Sequence, residues 1–287
     1  MATRSRSNDK NRCSVLAVAG LMLFASWGAA CARDGYSFYV VPQFEPRKLY
    51  AIWKPIVDEL ERRTQVPLEL NTTLTVQDFE REWSKGTFDF AYVNPFFVVR
   101  DLERQRYIPL IRDALPLHGI LVVRKDSPIR DVSALNGKAL AVPSPNALGA
   151  SLMIRADLER LHHVVMVLRD VKTHSSVYLH VANGLADAGG GVEKTLQEQD
   201  PRVRDALRVL YTTRDIPSHP IIAHSRVPKA IQEKVRRAML AMGADPKGQS
   251  LLAEVPIKQP IATSVDDYKP MQHWGLDTYW IHEEKGK

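Results

Sequence analysis

Ala186-Asp187-Ala188-Gly189-Gly190-Gly191-Val192 sets three successive glycines between small and apolar residues. Alone, three successive glycines are only a flexible turn. Here they share the chain with three other polar, turn-forming stretches, each leading into a predicted helix. These are Asn94-Pro95-Phe96, Ser144-Pro145-Asn146-Ala147 and Thr173-His174-Ser175-Ser176. Helix N-termini carry unpaired N–H groups and partial positive charge, so they hold anions without a dedicated cation. The four stretches together predict a site for a small oxyanion.

On both sides of these stretches strands alternate with helices. Residues 36–41, 68–72 and 88–93 read as strands. Between them, a helix over about 48–63 carries apolar Leu49, Ile52, Trp53, Ile56, Val57 and Leu60 at helical spacing. Pro55 falls inside that pattern and predicts a kink or a later start. A second helix spans 76–85, capped by Thr75 or a neighbour, and Pro95 suits the first turn of a third. Residues 119–124, 139–142, 164–171, 208–211 and 219–224 continue the strand series, with helices from Asn146 to about Arg160 and from Ser175 to about Asn183. Asp187-Ala188-Gly189 opens a further strand or turn, and the chain from Pro228 is mostly helical. This alternation predicts an α/β protein with parallel sheets. Two such sets lie in sequence, and the chain returns to the first after His224. The expectation is therefore two lobes, 34–123 plus 226–287 and 124–225, joined by two crossover strands. Lys125-Asp126-Ser127-Pro128 and Ser225-Arg226-Val227-Pro228 are the candidate hinges. Ligands in such sheets bind beyond the strand carboxyl ends.

The 287 residues suffice for one or two well-buried domains, and the formal net charge is +6. Part of the excess is Arg4, Arg6, Lys10 and Arg12; the rest is interspersed with Asp and Glu, which argues against a nucleic-acid stripe. Residues 1–31 have signal-peptide architecture: a basic stretch, an apolar run from about Val15 to Ala30, then Cys31. Gly28-Ala29-Ala30-Cys31 is similar to a bacterial lipobox, in which Cys31 would be lipidated. It departs from that motif in having Gly28 where Leu is usual, and cleavage after Ala32 also fits the small-x-small form. The expected location is the periplasm or cell envelope, with Cys31 as a candidate membrane anchor. Cys13 lies within the leader, so a mature chain has no intramolecular disulfide and no Cys-based metal site.

The ordered set of motifs resembles the periplasmic substrate-binding proteins of phosphate, phosphite and phosphonate ABC transporters. It comprises Val41-Pro42-Gln43-Phe44, Phe90-Ala91-Tyr92-Val93-Asn94-Pro95, residues 119–128, Pro143-Ser144-Pro145-Asn146-Ala147, residues 171–178 and residues 186–192. The resemblance implies a two-lobed type II, or Venus-flytrap, fold. It also implies capture of a phosphorus oxyanion by a monomer that delivers it to a membrane permease.

The resemblance also assigns candidate ligand contacts. Ser144, Asn146 and Ala147 match an oxyanion loop at a helix start, where a hydroxyl and successive N–H groups take phosphoryl oxygens. Pro145 removes one of those N–H groups, and the plain alternative for Ser144 is an N-cap. Thr173, His174, Ser175 and Ser176 match a second loop, with His174 a pH-sensitive contact or a structural residue. Tyr92 and Asn94 end a strand facing the cleft; Tyr92 either donates its hydroxyl to the anion or packs in the core. Tyr50 is a lesser candidate of the same kind. Asp187 lies where some relatives place acidic groups. Facing an anion it would select a protonated oxyanion; the alternative is a capping Asp. Gln43 and Glu45 follow the first strand at a lobe's cleft edge; the plain alternative is a solvent loop.

Other classes find little support. His162-His163 point apart on a helix and do not chelate, and His118, His219 and His224 are scattered. There is no HExxH, no Gly-x-Ser-x-Gly, no P-loop and no dinucleotide fingerprint. No cofactor, metal or catalytic residue is expected. The remaining alternatives are a sensor of the same fold acting through a signalling partner, and a binder of another anion such as a sulfonate.

Overall fold

The computed structural model describes residues 35–255 and 257–282. The expected leader 1–31 and Cys31 lie outside the described residues. Two sheets organise the chain. The first half runs β1 (Tyr36–Val40), α1 (Pro46–Thr64), β2 (Leu68–Thr72), α2 (Val76–Ser84), β3 (Phe90–Tyr92), α3 (Pro95–Arg100), α4 (Leu102–Gln105) and β4 (Tyr107–Asp113). The second set follows: β5 (Gly119–Arg124), β6 (Ala139–Val142), a π-helical turn (Leu148–Met153) continuous with α5 (Ile154–His162), β7 (Val167–Asp170), α6 (His174–Ala182), β8 (Ala188–Val192), α7 (Glu193–Gln197), α8 (Pro201–Arg204) and β9 (Leu207–Thr212). The chain then returns through β10 (Ile221–His224), α9 (Lys229–Ala244), α10 (Pro246–Leu252) and β11 (Pro260–Ala262), ending in short 3₁₀ turns.

Local chemistry accounts for the helix starts. Thr75 and Asp78 form a reciprocal capping box at α2. Asn94 caps α3 by accepting from Phe96 N, with Pro95 at the first helical position. Thr173 caps α6 by accepting from Ser176 N. α1 starts earlier than expected, at Pro46, and runs on through Pro55. Pro55 and Ala51 are both exposed, so the carbonyl that loses its helical N–H partner faces water.

The sheet orders are β11-β4-β10-β3-β1-β2 and β7-β6-β8-β5-β9. β1, β2 and β3 are parallel, as are β6, β7 and β8, but β10 and β5 run antiparallel to their neighbours. Both sheets are thus mixed rather than parallel, because each receives one strand from a crossover and the first also gains antiparallel β11 at its edge, beside β4. This corrects the lobe boundaries. β5 belongs to the second sheet and β10 to the first, so the crossovers are 114–118 and 213–220. They pair through Leu117 and Ile216, which exchange backbone hydrogen bonds of 2.8 and 3.0 Å. Lys125–Pro128 and Ser225–Pro228 are turns one strand too late to be hinges. β4 and β11 were not anticipated: β4 contains Pro109 and ends in Arg112-Asp113, and β11 is only three residues long.

The first lobe's core is aromatic, with Phe38, Trp53, Phe79, Trp83, Phe88, Phe90 and Phe97 buried together. Leu148, Leu152 and Met153 of the π turn join this core from the second lobe. In the second lobe, alternate residues of β5 feed two separate cores: Leu121 and Val123 on one face, Ile120 and Val122 on the other.

Candidate functional site

The glycines of β8 set the position of the site. A Cβ at Gly190 would stand 1.8 Å from the carbonyl oxygen of Ala150, and one at Gly119 of β5 would stand 2.0 Å from that of Gly149. Only glycine lets the backbone of the π turn rest directly on these two strands. The close approach at Gly190 and Gly119 is therefore to a helix of the same lobe. It aims the N-terminus of a continuous helix, residues 148–162, into the space between the lobes. The first N–H groups of a helix have no carbonyl within it to bond, so Leu148, Gly149 and Ala150 present amides and the positive end of the helix dipole there.

That space is a cavity of about 40 Å³. A water needs roughly 10–15 Å³ by this measure, so the cavity suits a small tetrahedral headgroup. Val41, Pro42, Gln43, Val76, Asn94 and Phe97 line it from the first lobe, and Pro143, residues 147–150, His174 and Val192 from the second. His219, on the second crossover, completes it. No Lys, Arg, Asp or Glu is among these lining residues. Beyond His219 lies a second cavity of about 470 Å³, lined by Tyr92, Asp113, residues 115–118, Glu193, Lys194, Gln197, Glu198, Ser218 and Lys258. His219 is shared by both.

The lobes are closed on each other around the small cavity. Lys48 Nζ meets Glu198 at 3.2 Å, and Gln77 Nε2 donates to Asp170 at 2.6 Å. Asn94 Nδ2 donates to Asn146 O at 3.2 Å, and Asn146 Nδ2 donates to Glu80 at 3.0 Å. Asn146 also exchanges two hydrogen bonds with the backbone of Ile281, at 2.8 and 2.9 Å.

Asn94, Ala147 and His174, among the expected contacts, line the small cavity. Tyr92 lines the larger one, its ring 4.8 Å from Trp53 and 5.3 Å from His219 between centroids. Its hydroxyl is buried without a hydrogen-bond partner, with Gln43 beside it but outside bonding geometry. A buried hydroxyl in that state asks for a partner. Ser144 lies just behind the small cavity, its Oγ accepting from Asn146 N at 3.1 Å. Asn146 is a clamp between lobes and C-terminal segment, its side-chain groups engaged as above. Thr173 and Ser176 are occupied with each other at the cap of α6, and Ser175, on its first turn, lines neither cavity. Tyr50 is 46 % exposed and also lines neither.

Asp187 is not brought to the site. It precedes β8, whereas the cavity adjoins Val192 at the strand's other end, roughly 16 Å away at the rise of a strand. Its carboxylate accepts from Ala139 N at 2.9 Å and faces Lys138 at 3.9 Å, fastening the start of β6. Gln43, at the expected cleft edge of the first lobe, lines the small cavity rather than standing in a solvent loop. His219 is the site residue that the sequence offers only as one of several scattered histidines. The available signal was position: His219 sits in Ser218-His219-Pro220 on a crossover, which in a two-lobed protein passes the cleft.

The two histidines dominate the titration of the site. Burial pushes His174 down to about 4 and His219 down to about 3, with the neighbouring His174 adding to the second shift. Both are therefore neutral near pH 7. His174 Nδ1 lies 3.3 Å from Thr195 Oγ1, which in turn donates to Val192 O and meets Tyr178 Oη. Among the described residues no cluster of His, Cys, Asp and Glu is arranged to hold a metal ion, and no helix is long and apolar enough to cross a membrane.

Solved structures share this architecture. A binding-protein component of an ABC phosphonate transporter from Pseudomonas aeruginosa superposes with a TM-score of 0.75 at 16 % identity, covering 83 % of this chain and 84 % of that one. PhnD1 from Prochlorococcus marinus, solved with methylphosphonate, gives 0.77 at 14 % identity, covering 85 % and 97 %. A Xanthomonas citri protein bound to chloride gives 0.70 at 18 % identity, covering 86 % and 99 %. At these identities the likeness establishes the type II two-lobed fold. The family model described as "ABC transporter, phosphonate, periplasmic substrate-binding protein" matches residues 38–268, which hold both crossovers and every residue lining the two cavities. The chain belongs to the periplasmic substrate-binding proteins of phosphonate ABC transporters.

Proposed function

We propose that this protein captures a small phosphorus oxyanion, a phosphonate first and phosphite or phosphate next. The anionic head sits in the cavity beneath residues 147–150, and any substituent on phosphorus extends past His219 into the larger cavity. One observation carries this reading: a cavity between the lobes sized for a tetrahedral headgroup, with the open N-terminus of a long helix aimed into it and no carboxylate on its walls. The similarity to a structure solved with methylphosphonate supports the same class of ligand. The protein acts as a monomeric, non-catalytic receptor that hands its ligand to a membrane permease. Residues 1–31 direct export, and Cys31 is the lipid anchor if the leader is cut at that point.

Calorimetric titration of ligand-stripped protein, free of phosphate buffer, against methylphosphonate, aminoethylphosphonate, phosphite, phosphate and sulfate tests the proposal. Micromolar or tighter binding to a phosphorus oxyanion supports it. Preference for sulfate or a sulfonate would replace it with another anion. With Asp187 remote from the site, no carboxylate stands there to reject an anion that cannot carry a proton.

A further inference from the structure

The small cavity confronts its ligand with an unusual charge balance. A phosphonate above neutral pH is a dianion, and burying it without compensating charge is costly. The helix N-terminus offers only about half a positive charge. The cavity walls hold no Lys or Arg, and their only titratable side chains are His174 and His219. These approach from different parts of the fold, His174 from the start of α6 in the second lobe and His219 from the crossover. Both line the same small cavity.

Nothing else near them supplies the missing charge. On the α7 side, His174 meets the neutral hydroxyl of Thr195, itself bonded to Tyr178. His219 stacks on the neutral Tyr92. Across the larger cavity, the Asp113 carboxylate accepts backbone N–H groups of Leu115, Lys258 and Gln259. Glu193 accepts from Gln197, Glu198 pairs with Lys48 and Lys194, and His118 pairs with Asp215. Lys258 is exposed at the rim.

We propose that His174 and His219 form a proton-accepting clamp, so that capture of a dianionic phosphorus oxyanion draws one proton from solution onto the imidazole pair. The proton comes from water or buffer and stays on an imidazole nitrogen that donates to a ligand oxygen; no covalent bond changes. The free site is neutral and the occupied site carries the cation that the anion requires. Ligand release returns the proton. This rests on the phosphorus-oxyanion reading of the same cavity.

The test is titration of ligand-stripped protein with methylphosphonate between pH 7.5 and 9.5, in buffers of different ionisation enthalpy. Uptake of one proton predicts Kd rising about tenfold per pH unit and a binding enthalpy that tracks the buffer. NMR of the imidazoles in the complex at pH 8 should show a protonated ring, and His219→Gln with His174→Gln should flatten the pH dependence. Binding with a pH-independent Kd would overturn the clamp while leaving the proposed function standing. So would neutral imidazoles in the complex, or a slope that survives the double substitution, since the proton would then ride on the ligand alone. Failure to bind any phosphorus oxyanion at any pH would overturn the proposed function, and the clamp with it.

Discussion

Gly190→Ala drives a methyl group into the helix that carries the ligand-facing amides. The added Cβ would stand 1.8 Å from Ala150 O, 3.0 Å from Ala150 C and 3.2 Å from Ile154 Cδ1, where ordinary contact begins near 3.4 Å. Relief requires the backbone of the π turn to retreat by about 1.6 Å, because a carbonyl oxygen cannot rotate away as a side-chain tip can. Overpacking a well-filled core costs about 1–3 kcal/mol and sometimes more. A clash with backbone belongs at the upper end, so roughly 3 kcal/mol is expected, equivalent to about 6–12 °C in Tm for a chain of this size class. The same retreat carries the amides of Leu148, Gly149 and Ala150 out of hydrogen-bonding reach of a ligand placed for the native helix. Loss of bonds to a charged group, each worth about 1.5–3 kcal/mol, should weaken methylphosphonate binding by at least tenfold. Gly35→Ala is the control, since its Cβ would meet Pro67 at an unstrained 3.7 Å. Thermal unfolding and calorimetric titration of both variants give the answer. If Gly190→Ala matches Gly35→Ala in Tm and Kd, the glycines do not position the helix as argued.

Asp187→Asn should leave the methylphosphonate Kd within twofold of the parent, because Asp187 fastens the start of β6 at the far end of the sheet; a tenfold loss would return it to the binding site. Asn146→Ala removes the bonds to Glu80 and to both backbone groups of Ile281. It should weaken binding by about 2 kcal/mol through a less stable closed state, read as faster ligand dissociation in stopped flow. Acid should destabilise the ligand-free protein. His174 and His219 bind protons in the unfolded chain near pH 6.5 but in the folded protein only near 4 and 3, so between those limits the unfolded state holds more protons and stability falls as pH falls. Denaturation midpoints measured from pH 7 to 4 should drop less steeply in His219→Gln than in the parent; an equal slope would remove His219 from that account.

The alternation of strands and helices, and hence the fold class, is legible along the chain because period-2 and period-3.6 patterns and capping residues are local. Thr75, Asn94-Pro95 and Thr173 marked their helix starts for that reason, and the ordered motifs carried the family resemblance. Three things were decided only by the tertiary structure. The lobe boundaries depended on which sheet accepts β5 and β10, and a strand that returns antiparallel from a crossover looks locally like any other. The use of Gly119 and Gly190 depended on a helix from 30 to 40 residues away in sequence lying against their backbone, a contact that leaves no local pattern. The site itself changed most. Asp187 and Val192 belong to one motif, yet a strand places its two ends roughly 16 Å apart, so only Val192 reaches the cavity. His219, which belongs to none of the motifs, lines the same cavity as His174 because the second crossover passes between the two sheets. Spacing along the chain records what a strand or helix will be; which of its ends meets the ligand is fixed by the packing of segments distant in sequence.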